Sequence, residues 1–214
     1  QATELYRLQN SQNIADIDPV EMDSLELGFR GSTEKISYNI ALFSMNKDNF
    51  IFRDTSRQNV DNGKTEHHGI ELDMKMDLHE AVTASIAFTW AEHEYDNNPA
   101  LSNAPLKGNT IDTAPETLGS MSIKWQATPR QTHELEWVHI GKYYEDPENR
   151  NEYEGHDLLH LRGSLSMNNS ARIFYKVMNI TDEDYAERAD FSFGSDRYFV
   201  GTPRSVYLGL TLTL

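Results

Sequence analysis

The sequence contains no cysteine, which excludes disulfide frameworks, thiolate metal sites and cysteine nucleophiles. It also contains no long apolar run, which excludes a transmembrane helix. Positive charge is scarce, because 19 Lys and Arg stand against 34 Asp and Glu, for a formal net charge of −15. A sequence-independent nucleic-acid binder needs a basic surface, so this composition argues against a nucleic-acid partner.

Motifs for covalent or phosphate chemistry are missing as well. The segment His133–Trp137 begins like the zinc motif HExxH and lacks its second histidine, and there is no Gly-rich phosphate loop and no GxSxG elbow. His67 and His68 are adjacent, but neighbouring side chains on a strand point to opposite faces, which argues against joint metal ligation. The acidic segments Glu145–Glu148 and Asp182–Asp184 are interpreted as solvated loops whose charges repel each other. We predict no enzymatic activity, no resident metal and no cofactor.

The sequence does contain apolar and polar residues that alternate with a period of two along the chain. In 205–214, for example, Val206 and Leu208 share a face with three further leucines, and Tyr207 lies on the other. Between 133 and 144 the alternation is less clean, which predicts a bulge or a misplaced boundary there. The pattern predicts nine strands, at about 23–31, 35–46, 65–77, 81–94, 116–127, 132–144, 157–168, 171–180 and 203–214.

The connections between these strands alternate between short and long. The long ones are polar and acidic and cover 47–64, 95–115, 145–156 and 181–202. Such alternation predicts neighbouring antiparallel strands, with tight turns at one end and large loops at the other. This is the connectivity of an outer-membrane barrel, an all-β, antiparallel, up-and-down architecture.

The apolar faces fit two architectures. In a soluble β-sandwich they would form a core, and in an outer-membrane barrel they would contact lipid while charged faces line the lumen. Aromatic residues near the ends of the apolar runs favour the barrel, with Tyr38, Trp125 and Trp137 near short turns and Trp90 toward a long loop. The residues predicted to face lipid are Leu72, Met74, Ile86, Phe88, Leu161, Leu165, Ile173, Leu208, Leu210 and Leu212.

Five segments resemble one known family in their order and spacing. Ala2–Tyr6, Asp23–Arg30 and Gly69–Leu72 are similar to segments that enter or form its late barrel strands. Val177–Tyr185 matches a V-x-N-(apolar)-x-D-x-x-Y stretch, and Gly201–Ser205 matches a G-x-P-R entry to the closing strand. On these motifs the chain resembles the C-terminal β-barrel region of TonB-dependent outer-membrane receptors.

The resemblance implies a particular organisation. The nine strands would be the C-terminal part of a barrel of about 22 strands. Residues 1–22 would be a loop that enters the barrel, residues 23–214 would hold the barrel strands and the long extracellular loops, and we expect the N-terminal plug to be absent from this chain. Implied partners are outer-membrane lipid and lipopolysaccharide, the missing barrel strands and plug, and the TonB complex acting through that plug.

The function implied by the resemblance is energy-coupled uptake of a scarce small-molecule ligand across the Gram-negative outer membrane. A ferric siderophore is the expected ligand, so the cargo would be an iron chelate. Such chelates are often anionic, and the loop residues Arg150, Arg188, Arg197 and Tyr198 are therefore the expected ligand contacts. Two alternatives remain open from the residues alone, a passive porin-like barrel and a soluble β-sandwich binding module.

Overall fold

A computed structural model describes residues 18–56, 59–99 and 104–213. Within these ranges the chain is all β and contains no helix, and therefore none that could cross a membrane. Ala2–Tyr6 and the last residue, Leu214, lie outside the described residues. The strands, in chain order, are β1 (Glu21–Ser32), β2 (Ile36–Arg53), β3 (Asn59–His79), β4 (Val82–Tyr95), β5 (Thr117–Thr128), β6 (Gln131–Ile140), β7 (Tyr143–Tyr144), β8 (Glu152–Tyr153), β9 (His156–Ser166), β10 (Ala171–Met178), β11 (Ala186–Ser192), β12 (Ser195–Val200) and β13 (Ser205–Leu212).

Nine of these strands form one open sheet, in which each strand pairs antiparallel with the preceding member. Its order is β1-β2-β3-β4-β5-β6-β9-β10-β13, so β1 and β13 are its two edges. The predicted fold class and the predicted nine strands are confirmed. No second sheet packs on this one among the described residues, because the two remaining sheets are two-stranded hairpins, β7–β8 and β11–β12. The β-sandwich alternative is therefore wrong.

Several strand boundaries differ from those predicted. β2 and β3 are longer, and both run into the segment expected to be the long loop 47–64. β6 ends at Ile140 and not at 144. Its pairing with β9 is continuous, so there is no bulge in it. The end predicted at 144 is wrong, and the irregular alternation within the strand comes from His133 and His139, which lie on the outward face. Hairpins β7–β8 and β11–β12 occupy segments predicted to belong to the end of a strand and to loops.

The pairing register places all ten residues predicted to face lipid on one face of the sheet. Ile86, for instance, lies between Met74 on β3 and Met121 on β5. Toward the β13 edge this outward face is open, with Leu208 at 79% and Leu210 at 58% exposed. No described element covers the outward face. Its contact with lipid stays a prediction.

The opposite, inward face of the sheet is polar and carries paired charges. Arg162 on β9 contacts two carboxylates of the neighbouring β6, with Nη2 2.6 Å from Glu134 Oε1 and Nη1 3.1 Å from Glu136 Oε2. Ion pairs that cross between adjacent strands hold the register. They also let charged side chains occupy mid-strand positions without leaving a carboxylate unpaired.

At the short-turn end, aromatic rings of the outward face lie flat over glycines of the neighbouring strand. Tyr38 covers Gly31 and Tyr175 covers Gly163, so closely that a Cβ on either glycine would lie 2.6 or 2.7 Å from a ring atom. A ring over a cross-strand glycine replaces the missing side-chain packing. His133 joins this group, with Nδ1 2.6 Å from the Tyr175 hydroxyl and its ring beside Trp125.

Trp137 lies at the other end of the sheet from the one predicted. It is nearer the end of β6 at Ile140 than its start, and its Nε1 donates to Asp157 Oδ1 at 2.9 Å, at the long-loop end of β9. Its ring stacks on His139. The predicted position of Trp137 near a short turn follows from a strand that continues to residue 144. With the shorter strand, Trp137 lies toward the long loops, as Trp90 does.

Candidate functional site

The long connections meet above one end of the sheet, where asparagine side chains of one connection hydrogen-bond to the backbone of another. Asn149 bridges two of them, because its Oδ1 accepts from Thr110 N at 2.7 Å and its Nδ2 donates to Thr110 O at 2.8 Å. Asn109 Nδ2 donates to Pro147 O at 2.9 Å. These bonds join the connection after β4 to the loop between β7 and β8.

The β11–β12 hairpin is tied into the same assembly. Phe191 N donates to Glu145 O at 2.9 Å, and Phe193 N donates to Thr55 O at 3.0 Å. The hairpin therefore contacts both the β7–β8 loop and the connection after β2. Asp146, which is fully buried, organises the β7–β8 loop by accepting from Asn151 N at 2.8 Å and Asn151 Nδ2 at 2.6 Å. Together these segments form one hydrogen-bonded layer, called here the loop cap.

A cavity of about 370 Å³ lies within the loop cap and is lined by residues of all four long connections. Five aromatic rings give it an apolar wall, and seven ionisable residues of both signs complete the lining. This lining is more charged than that of a typical small-molecule pocket, in which a few polar groups interrupt an apolar wall. The principal lining residues are Phe50, Phe52, Tyr95, Phe191, Phe199, Arg53, Asp54, Asp112, Glu145, Arg188, Asp190 and Arg197.

Two of the four residues predicted to contact ligand, Arg188 and Arg197, line this cavity. Both pair with the buried carboxylate of Asp190. Its Oδ1 accepts a hydrogen bond from Arg197 Nε at 2.6 Å, and its Oδ2 lies 3.0 Å from Arg188 Nη2. β11 carries Arg188 and Asp190, and Arg197 lies directly opposite Asp190 on β12. The two guanidinium groups thus share one carboxylate, and their role in ligand binding stays a prediction.

The other two predicted residues do not line the cavity. Arg150 lies on the β7–β8 loop with Nη2 3.6 Å from Glu148 Oε1. Tyr198 is 54% exposed, and its ring centroid lies 6.4 Å from that of Tyr153. The structure therefore brings together two of the four residues that the sequence singled out.

Burial changes the ionisation of the acids in the cavity. Desolvation raises the pKa of Asp112 to about 6, and the Tyr95 hydroxyl donates to its Oδ1 at 2.9 Å. Desolvation also raises the pKa of Glu145, and the nearby Asp196 raises it further. Neither carboxylate oxygen of Glu145 accepts a hydrogen bond of normal geometry from the described residues. Both carboxyls therefore take up a proton at a higher pH than an exposed carboxyl would.

No group of three or more His, Cys, Asp or Glu residues in the described ranges is arranged to hold a metal ion. His67 and His68 point to opposite faces of β3, as expected, since His68 Nε2 lies 2.7 Å from Glu92 Oε2 on the outward face. The sequence did not reveal that His67 meets another histidine, His93 of β4, on the inward face. The β3–β4 register, which the strand pattern alone did not give, was the signal needed to find this pair.

A family model described as TonB dependent receptor-like, beta-barrel, matches residues 1–180. The chain belongs to this family. Barrels of the family are outer-membrane proteins of Gram-negative bacteria, and they are transport receptors that act with a plug, TonB and a small-molecule ligand. No curated protein sequence matches the chain.

Solved structures show the same fold at low sequence identity. The siderophore receptor PiuA from Acinetobacter baumannii is 18% identical, with a TM-score of 0.81, and the alignment covers 98% of this chain and 30% of that one. The ferric yersiniabactin uptake receptor FyuA from Yersinia pestis is 18% identical, with a TM-score of 0.77, covering 90% and 30%. The ferric-catecholate import receptor Fiu from Escherichia coli K12 is 19% identical, with a TM-score of 0.76, covering 96% and 29%. The chain thus spans about 30% of the length of these receptors.

Proposed function

We propose that this chain forms the C-terminal part of the barrel of a TonB-dependent receptor that imports a ferric siderophore across a Gram-negative outer membrane. The observation that supports the proposal most strongly is that two features occur on the same sheet. One face is apolar and uncovered, and the long connections at one end enclose a cavity. Further strands would pair with the edges of β1 and β13, and a plug would occupy the lumen.

The distribution of side chains supports a membrane position. Strands β3 and β4 place Met74 and Ile86 outward and Asp73 inward. Hydrocarbon on the outward side accepts the apolar residues, and a hydrated lumen accepts the carboxylate. In water, the outward face would expose a large contiguous apolar surface, which soluble monomers rarely do.

The loop cap supports a binding function that requires no covalent chemistry. Its cavity offers aromatic walls and the Arg188 and Arg197 guanidinium groups to an anionic chelate. The named relatives, a siderophore receptor and two receptors for ferric chelates, support iron chelates as the ligand class. The protein would bind and release its ligand unchanged, and the energy for release would come from TonB acting on the plug.

Uptake of radioactive iron tests the proposal. The complete receptor, with its plug and all its strands, is expressed in a Gram-negative host that lacks its own siderophore receptors. The cells receive ⁵⁵Fe bound to a catecholate, a hydroxamate or a carboxylate siderophore. We expect uptake of at least one chelate that disappears when tonB is deleted. Uptake that continues without TonB would favour the passive porin-like alternative, and no uptake of any chelate would refute the siderophore assignment.

Matched arginine substitutions test the cavity. Arg188→Gln and Arg197→Gln remove charges that line it, whereas Arg150→Gln removes a similar charge outside it. We expect the first two to weaken binding of the imported chelate by roughly tenfold or more, since a charge-assisted contact is worth about 1.5–3 kcal/mol. Arg150→Gln should leave binding unchanged. Equal losses in all three variants would contradict a role for the cavity.

A further inference from the structure

Three strands extend past the aromatic residues of the outward face and carry a row of two histidines and a methionine on their inward face. β2, β3 and β4 are 18, 21 and 14 residues long, the longest of the sheet. In their registers Met45 lies opposite His67, and His67 lies opposite His93. All three therefore lie in one cross-strand row, beyond Trp90 on the long-loop side.

The two imidazoles of this row meet nitrogen to nitrogen. His67 Nδ1 lies 2.9 Å from His93 Nδ1, and the ring planes are inclined at 59°. The other nitrogen of His67, Nε2, lies 3.0 Å from Thr65 Oγ1, which fixes the orientation of that ring. When no ion is bound, one Nδ1 must carry a proton and the other must accept it.

A metal ion that replaces the shared proton would lie off the line between the two Nδ1 atoms, and both rings would turn to direct their lone pairs at it. With metal–nitrogen bonds of about 2.05 Å, two nitrogens 2.9 Å apart form an angle of roughly 90° at the metal. An angle of that size is a cis angle of tetragonal coordination, the geometry typical of Cu(II) with nitrogen ligands. The Thr65 contact supplies the outer hydrogen bond that metal-binding histidines commonly have.

The third member of the row determines which metal fits. A thioether is a soft ligand that favours copper, and Cu(I) in particular, whereas imidazole accepts several transition metals. We propose that His67, His93 and Met45 form a copper-binding site on the inner wall of the barrel. The proposal is independent of the siderophore assignment, because it concerns a different set of residues.

One neighbouring charge opposes cation binding. Lys47 lies on the same face as Met45, two positions further along β2, opposite Thr65. Its Nζ lies 5.0 Å from the centroid of the Phe50 ring, so the ammonium is held by a cation–π contact. Removal of this charge in Lys47→Gln should therefore strengthen copper binding.

Copper binding by the complete receptor, purified in detergent, tests the site. Cu(I) affinity is measured by competition with bicinchoninate under anaerobic conditions, and Cu(II) by electron paramagnetic resonance. We expect one copper per receptor and nitrogen hyperfine structure from two imidazoles. His67→Gln and His93→Gln should each lower the affinity by roughly 100-fold, since loss of an outer hydrogen bond alone costs about 10–100-fold. Met45→Leu should weaken Cu(I) more than Cu(II), and Lys47→Gln should tighten both.

His68→Gln is the matched control, because His68 is adjacent in sequence and lies on the outward face. It should leave copper affinity unchanged. Equal losses in His68→Gln and His67→Gln, or wild-type binding without nitrogen hyperfine structure, would overturn the proposal. If the His67 and His93 variants fail to assemble, protection of the wild-type histidines from diethyl pyrocarbonate by added copper gives the answer. Absence of protection at His67 and His93 would then overturn it.

Discussion

Ile86→Arg is the substitution that tests most directly which side of the sheet contacts lipid. Ile86 lies on the outward face of β4, four residues from Val82 and four from Trp90. At about 3.4 Å per residue, the charge would lie roughly 14 Å along the strand from either end of the apolar run. An arginine side chain cannot span that distance to reach water.

The expected cost follows from this depth. Arginine at the bilayer midplane destabilises a transmembrane barrel by about 2–4 kcal/mol, a factor of roughly 30- to 700-fold in the folding equilibrium. Ala87→Arg is the matched control, because Ala87 points inward and lies opposite Asp73 on β3. There the new guanidinium can pair with a carboxylate. We therefore expect a cost near zero at position 87.

Both variants are made in the complete receptor and refolded in phospholipid vesicles. Guanidinium titration gives the free energy of unfolding, and heat-modifiable electrophoretic mobility gives the fraction assembled in cells. Similar losses at 86 and 87 would refute the assignment of faces. A larger loss at 87 than at 86 would indicate that the face of Ala87, and not that of Ile86, contacts lipid.

Three further predictions concern charges. Arg162→Met should destabilise the barrel by about 1 kcal/mol, because it leaves two neighbouring carboxylates unpaired, and adding Glu134→Gln should recover part of that loss in the same titration. Asp190→Asn should loosen the β11–β12 hairpin by about 1–3 kcal/mol, since Arg197 loses its buried partner, and limited proteolysis between 186 and 200 should accelerate. Asp112 has its pKa raised by burial to about 6 from 3.8, so the folded loop cap holds this proton more tightly than the unfolded chain. The contribution of Asp112 to its stability should then be fully present below pH 4 and be lost as the pH rises through about 6. Hydrogen-exchange protection factors in 104–115, corrected for the intrinsic pH dependence of amide exchange, should be larger at pH 4.5 than at pH 7.5, and Asp112→Asn should abolish that difference.

The strands of the sheet could be predicted from sequence because lipid and lumen impose opposite demands on alternate residues. Leu208 and Leu210 face outward and Tyr207 faces inward, and the same alternation between the two environments continues along the strand. β6 shows where this signal weakens. His133 and His139 share the outward face with Leu135 and Trp137. They are satisfied there by hydrogen bonds to Tyr175 and Asp157. A polar residue satisfied by a neighbour cannot be recognised by its hydropathy.

The loop cap could not be predicted in the same way. The hairpin β11–β12 is held by the Asp190 carboxylate between two arginines and by backbone bonds to distant segments. None of these contacts follows a period. Composition identified Arg188 and Arg197 as cations in an acidic loop. It did not identify Asp190 as the acid that pairs with them, because that choice depends on the register of the hairpin.

The compensation of these arginines constrains how an anionic ligand could bind. A chelate that takes the guanidinium hydrogens now bound to Asp190 must compete with that carboxylate, which is buried and close to both arginines. Displacing that carboxylate exposes it to water and releases the hairpin from its cross-strand ion pair. Ligand affinity and hairpin order are therefore thermodynamically linked, so that each can change the other by the same factor. A chelate bound at these arginines should loosen β11–β12, whereas one bound to the aromatic wall alone should leave the hairpin protected from proteolysis.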